Sequence, residues 1–203
     1  MRFRMRLKVS ALLFGLMSGL ALNSAKASDL YAFYAAYHQG DLAGAAAIIE
    51  PLARKGNPEA QYQLAAMFER GKAFNKDLAA AVKWYTAAAE QGHTLAQMHL
   101  AYAHEWGQGV EKNYFQAVKW YRKAALQRNA FAAYELATLL YRGKGADRDP
   151  MMAAVMAHLA EENGWKDAAE FREKIEAGLS HEQREHAEAL FAQCLKSDYQ
   201  YCQ

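Results

Sequence analysis

The chain has 203 residues, of which 23% are charged, and its formal net charge is +2. This length fits one domain of ordinary size. No basic patch indicates nucleic-acid binding, so we expect no nucleic-acid partner. Beyond the N-terminal segment, no second hydrophobic run indicates insertion into a membrane.

Residues 1–27 are predicted to be a cleavable signal peptide. Four basic residues lie within 2–8, an apolar run covers 9–22, and Ala25-Lys26-Ala27 fits the small-x-small cleavage rule. The run is shorter than the roughly 20 apolar residues that span a bilayer. Cleavage before Ser28 removes five basic residues and changes the formal net charge from +2 to −3. We therefore expect a periplasmic or secreted protein of Gram-negative type export; the alternative is an uncleaved anchor.

The only two cysteines, Cys194 and Cys202, lie close together near the end of the chain. In an exported protein such a pair predicts a disulfide, which would hold a tail that otherwise frays. The alternative is two free thiols.

The start of the predicted mature chain, 28–56, is interpreted as a degenerate first repeat. An aromatic helix ends near Gly40, Asp41 caps a second helix over 42–55, and Gly56 suits the left-handed position after it. Pro51 is expected to kink this second helix or to force a local adjustment.

The dominant feature is a repeat with a period of 36 residues. The pentamer Ala81-Val82-Lys83-Trp84-Tyr85 returns at 117–121, and alanine, leucine and glycine positions keep the same spacing. A fixed period in this range indicates a repeat array. The predicted units are 57–92, 93–128 and 129–164.

Each unit is predicted to contain two helices. The first helices cover 58–70, 94–106 and 130–142, and each ends at a glycine: Gly71, Gly107 or Gly143. The second helices cover about 78–91, 114–127 and 150–163, and begin after an N-cap acceptor: Asp77, Asn113 or Asp149.

This pattern resembles the Sel-one-like repeat family, a branch of the tetratricopeptide-type helical repeats. The residues that carry the likeness are Ala96, Leu100, Gly107-Gln108-Gly109-Val110, Ala117, Trp120-Tyr121 and Lys123-Ala124-Ala125. The resemblance implies an all-α fold, a right-handed α-solenoid of antiparallel helix pairs. Three positions depart from the pattern: Ala73 and Arg128 stand where glycine is expected, and Met156-Ala157 replaces Trp-Tyr.

Residues 165–203 are interpreted as a C-terminal cap and tail, which completes a single solenoid domain over 28–203. After the charged segment 165–177, Ser180 and Gln183 form a capping-box pattern. The helix that follows, about 181–196, places Ala187, Leu190, Phe191 and Cys194 on one face. Such a face would cover the open end of the solenoid.

The sequence contains no convincing catalytic, metal or cofactor motif. His99 and His104, like His181 and His186, are five residues apart, whereas a helical zinc pair needs three or four. No serine lies in a nucleophile-elbow or Ser-x-x-Lys context, and no glycine-rich phosphate loop follows a strand. We expect no cofactor and no enzyme activity.

The repeated Trp-Tyr pairs could form a stacking platform, but the preferred interpretation is core packing between units.

A binding groove is the preferred functional site. In tetratricopeptide-like solenoids the first helices line the concave face, and the register transfers that geometry to an aromatic and basic row. Tyr, Trp and Arg dominate binding hot spots. The predicted groove residues are Tyr62, Arg70, Met98, His99, Tyr102, Trp106, Phe131, Tyr134, Tyr141 and Arg142. The alternative for some of them, especially Tyr62 and Tyr134, is packing between helices.

The resemblance implies a protein–protein interaction module, a scaffold, adaptor or regulator that binds a peptide or protein segment. Two alternatives stay open. One is a hydrolase of the β-lactamase-like type discussed for cysteine-rich relatives, although those carry a cysteine pair in each repeat. The other is a structural factor in envelope assembly.

Overall fold

The computed structural model describes residues 28–197, and within this range every element is helical. The predicted signal peptide and Cys202 lie outside the described residues. The ten helices are α1 (28–38), α2 (Leu42–Arg54), α3 (Pro58–Arg70), α4 (Leu78–Glu90), α5 (Thr94–Trp106), α6 (Tyr114–Ala125), α7 (Ala130–Arg142), α8 (Pro150–Glu162), α9 (Ala168–Glu176) and α10 (His181–Lys196).

The helices pack in the order of a repeat array. From α2 to α9, each helix packs against its neighbours in sequence, so first and second helices alternate along the molecule. Helix α10 departs from this order because it packs mainly against α8. The predicted all-α solenoid is thereby confirmed. Within residues 28–197, no helix combines the length and apolarity that crossing a membrane requires.

Side-chain caps set the start of each helix in the same register. Asn57, His93 and Asn129 accept a hydrogen bond from the backbone N–H three residues later at the first helices. The second helices begin in the same way, with the acceptors Asp41, Asp77, Asn113 and Asp149. Each such cap satisfies a backbone donor that has no partner within the helix.

The two loop glycines Gly109 and Gly145 are required by close approach between units. Both have a positive φ, and a Cβ at either position would lie 2.2 Å from a backbone oxygen, that of Leu78 or Tyr114. No side chain fits in that space. Ala73 and Arg128, which stand at expected glycine positions, keep positive φ values of 64° and 65°. The backbone conformation is therefore retained at a cost in strain.

The core is built from small residues around a few large ones. Ala60, Ala96, Ala132 and Ala168 are fully buried, and Leu64, Leu100 and Leu136 lie beside them. Of the repeated aromatic pairs, Tyr85, Trp120 and Tyr121 are buried and Trp84 is half-buried. These residues pack in the core as the preferred interpretation predicted.

A chain of buried amides links consecutive units. Gln61 Nε2 donates to Ala53 O at 3.2 Å, and one period later Gln97 Nε2 donates to Ala89 O at 3.1 Å. Each buried glutamine in turn accepts from a second-helix glutamine, Gln91 or Gln127, at 2.7 Å. Since buried amides must be hydrogen-bonded, these contacts determine how each unit is placed on the next.

The two ends of the described chain agree only in part with the sequence predictions. Helix α2 continues through Pro51 as far as Arg54. Helix α9 is shorter than the predicted segment 165–177. Helix α10 has the predicted capping box at Ser180 and Gln183, and it buries Ala187 and Cys194. The partner of Cys194 predicted from sequence is outside the described residues, so the disulfide stays a prediction.

Replacement of Trp120 by alanine is expected to lower the free energy of unfolding by about 3–5 kcal/mol, because a large core side chain is removed and a cavity remains. Only 6% of Trp120 is exposed, compared with 58% of Trp106, so Trp106→Ala is the matched control. Chemical denaturation of both variants measures the difference. Equal stabilities would contradict the core placement.

Candidate functional site

The predicted groove residues all lie on α3, α5 and α7, and we call the surface that carries them the first-helix face. Trp106, Arg70 and Arg142 are exposed at the C-terminal ends of these helices. The other seven are half-buried: Tyr62, Met98, His99, Tyr102, Phe131, Tyr134 and Tyr141. The helix caps described above begin α3, α5 and α7 at equivalent positions of the repeat.

A hydrogen-bonded cluster around Glu59 occupies the N-terminal end of the face. The Tyr34 hydroxyl donates to Glu59 Oε1 at 2.5 Å, and Gln63 Nε2 donates to the same oxygen at 2.8 Å. His93 Nε2 lies 3.0 Å from Glu59 Oε2. The hydrogen bond with His93 is the main cause that lowers the pKa of Glu59 to about 2. This carboxylate is therefore fully engaged within the chain.

Glu69 forms the centre of a second cluster, between the first two full units. The Tyr85 hydroxyl donates to Glu69 Oε2 at 2.8 Å, and His99 Nδ1 lies 3.7 Å from the same oxygen. The rings of Tyr85 and His99 stack with centroids 4.8 Å apart. Tyr62 stacks on His93 at 4.7 Å. The interaction with His99 is the main cause that lowers the pKa of Glu69.

One period later, the same tyrosine–glutamate pair has a different electrostatic environment. The Tyr121 hydroxyl donates to Glu105 Oε2 at 3.0 Å, and Glu105 is buried. Burial raises the pKa of Glu105. Burial, and then the charge of Glu105, raise the pKa of Glu135 to about 7. Arg142 is close enough to both carboxyl groups to oppose these shifts.

Between these clusters the face opens into an apolar pocket with a cavity volume of about 320 Å³. Its lining is largely aromatic and thioether, with one glutamate at the edge. The lining residues are Glu69, Met98, His99, Tyr102, Phe131 and Trp165. Phe131 meets Trp165 edge to face at 5.4 Å. The pocket brings four of the predicted groove residues together.

The remaining predicted residues surround this pocket. Tyr62 belongs to the ring cluster on one side, and Tyr134 packs against Trp165 and Phe171 on the other. Tyr141 also contacts Phe171, at 5.8 Å. Both Tyr62 and Tyr134 therefore make contacts between helices, whatever further role they have.

Arg70 and Trp106 lie at the helix ends. The pKa of Arg70 is raised by its hydrogen bond with Tyr37. The Lys112 ammonium nitrogen lies 5.9 Å from the centroid of the Trp106 ring. An exposed aromatic ring beside a cation is well suited to contact a partner.

Sequence reasoning missed Trp165 and Phe171, because both lie after the third unit. A signal was present, since Ala168 continues the 36-residue series of buried alanines and makes α9 a further first helix. In that register Trp165 stands where His93 and Asn129 stand earlier, although α9 begins later, with Asp167 at its N-cap position.

Among residues 28–197, no three histidine, cysteine, aspartate or glutamate side chains are grouped so as to hold a metal ion. His99 belongs to the ring cluster on Glu69, and His181 lies exposed with its Nε2 3.6 Å from Glu185 Oε1.

The order in which the helices pack defines a helical-repeat solenoid. The sequence profile of the Sel1 repeat matches residues 58–93, 94–129 and 130–165, which together make up more than half of the chain. The chain therefore belongs to the Sel1 repeat family, as its sequence pattern suggested.

Two solved structures are similar to this chain. One is a Sel1 repeat protein from Oxalobacter formigenes, with 32% identity and a TM-score of 0.64 over 67% of this chain and 56% of that protein. The other is c5321, a protective antigen of uropathogenic Escherichia coli strains that displays an SLR fold. It has 27% identity and a TM-score of 0.69, over 82% of this chain and 41% of that protein.

The chain thus spans less than two thirds of the length of either relative. No match was found among curated proteins.

The raised pKa of Glu135 predicts a pH-dependent loss of stability. In the folded state the pKa of this carboxyl group is about 7, compared with an ordinary value of 4.5. Its contribution to stability is therefore complete below about pH 4.5 and is lost as the pH rises through about 7. We expect Glu135→Gln to flatten the decrease in melting temperature across this window.

Thermal melts between pH 4 and pH 8 measure this effect, with Glu173→Gln, an exposed glutamate of α9, as the control. A Glu135→Gln variant with the pH dependence of the parent would refute the buried acid pair.

Proposed function

We propose that this protein is a periplasmic interaction module that binds an extended peptide or protein segment in a concave groove along α3, α5 and α7. Sel1 repeat proteins are generally protein–protein interaction modules. The location rests on the signal-like segment 1–27, which lies outside the described residues.

The observation that carries the proposal is the apolar pocket on the first-helix face. Met98, Tyr102, Phe131 and Trp165 leave a cavity of about 320 Å³ that opens towards solvent rather than being filled by the core. A side chain of a bound segment, aliphatic or aromatic, would bury apolar surface there. Such a pocket is the usual place of a binding hot spot.

The charged residues of the face support binding rather than catalysis. Glu59, Glu69 and Glu105 each accept a hydrogen bond from a tyrosine, so they hold the face together. Trp106 and Arg142 are exposed at the C-terminal ends of α5 and α7, the two helices that carry the pocket residues Met98, Tyr102 and Phe131. The guanidinium of Arg142 can donate hydrogen bonds to a backbone carbonyl or a carboxylate of the bound segment.

Two sets of variants test the groove: Met98→Lys, which places a charge in the pocket, and the double variant Trp106→Ala, Arg142→Ala. We expect each to weaken partner binding about tenfold or more, because hot-spot residues carry most of the binding free energy. The measurement is co-purification of partners with tagged protein from the periplasmic fraction, followed by titration of the partner that is recovered.

The matched control is Tyr31→Ala, since Tyr31 is 77% exposed and lies on α1. Melting temperatures show whether each variant is folded. If folded pocket variants and the double variant retain their partners in full, the groove assignment is wrong.

A further inference from the structure

The outer side of α6 carries a second apolar depression, remote in the fold from the first-helix face. Five residues of this helix and its C-cap residue, Leu126, line a cavity of about 310 Å³. They recur at helical spacing and so share one side of the helix. We call them the α6 patch: Phe115, Val118, Lys119, Arg122, Lys123 and Leu126. Phe115 is 64% exposed, which is unusual for so large an apolar side chain.

The polar residues of the patch all have the same sign. Lys119, Arg122 and Lys123 border the apolar floor, and no carboxylate lines it. The ammonium nitrogens of Lys119 and Lys123 lie 5.4 Å and 4.5 Å from the centroid of the buried Trp120 ring. Their positions are therefore supported by cation–π contacts. Asp147 and Asp149 border a neighbouring depression that Arg122 also lines.

This composition is specific to one unit. On α4, the positions equivalent to Phe115, Arg122 and Leu126 are Ala79, Thr86 and Glu90. The architecture needs neither an exposed aromatic nor three cations here, since α4 packs in the array without them. The α6 patch is thus a property of the second unit and not of the repeat.

The third unit shows what this side of a second helix can accept. Val155 and Leu159 of α8 stand where Lys119 and Lys123 stand on α6, and both are buried. His158, in the position of Arg122, stacks on Phe191 of α10 with ring centroids 3.6 Å apart. Helix α10 packs against α8, so the chain itself covers this side of α8 with a helix that presents an aromatic ring.

We propose that the α6 patch is a docking site for an amphipathic helix of a partner protein, with apolar residues along one side and acidic residues on both flanks. The internal α8–α10 contact defines the helical shape of the occupant. The uniformly basic rim defines its charge, because complementary potentials govern partner choice and association rate. The site is independent of the proposed groove.

Two synthetic peptides of about 16 residues, long enough for several helical turns, test this proposal. Both carry Leu and Phe at helical spacing; one has Glu on the flanks and the other has Lys. Fluorescence anisotropy with the intact chain measures their affinities. We expect the acidic peptide to bind about tenfold or more tightly than the basic one, with an affinity that falls as salt screens the exposed rim.

Variants assign the binding to this surface. Phe115→Ala and the double variant Lys119→Glu, Lys123→Glu are expected to weaken the acidic peptide about tenfold. Lys83→Glu, which changes the equivalent lysine of α4, is the matched control and should leave the affinity within about twofold of the parent. Circular dichroism checks whether each variant is folded. If the double charge reversal unfolds the protein, Phe115→Ser is the second variant that tests this surface.

Three outcomes would overturn the proposal. They are equal affinity of the two peptides, full affinity of a folded Phe115→Ala variant, and loss of the acidic peptide in the groove variant Trp106→Ala, Arg142→Ala. The last result would place the peptide on the first-helix face.

Discussion

Close packing of small side chains where consecutive helices meet is the contact on which the rest of the molecule depends. Ala60, Ala96, Ala132 and Ala168 have no exposed surface, so a larger residue at any of them would separate two helices. Because the helices are held this closely, residues one period apart become neighbours in space. The aromatic row and the glutamine contacts follow from that placement, and the tyrosine–glutamate pairs join the two helices within one unit.

The same architecture carries different chemistry in each unit. In the first full unit, His99 and Tyr85 lower the pKa of Glu69, whereas burial raises that of Glu105 in the second. In the third, Ala157 replaces the hydroxyl donor and Tyr141 stands at the glutamate position. The repeat maintains the backbone, and among the described residues the substitutions on it produce two polar clusters, an apolar pocket and an acid pair.

Much of the fold could be predicted from the amino-acid sequence alone. The first helices begin and end as their caps and glycines indicate, at Asn57 and Gly71 for example, because caps and left-handed glycines act over a few residues of chain. The candidate site was only partly predictable. Met98, Tyr102 and Phe131 were identified by register, but Trp165 was not, since it follows directly after the third predicted unit, 129–164.

By itself, the sequence determined the family, the 36-residue register and the helix limits, because these depend on local hydrogen bonds and on periodic apolar positions. Only the tertiary structure decided which side chains are buried in the core and which face solvent. Tyr85 and Trp120 are buried while Trp106 and Phe115 are exposed, although all four are large aromatic residues on helices. That difference depends on which helices pack against each side of a helix: α10 packs against α8, whereas the equivalent side of α6 stays open.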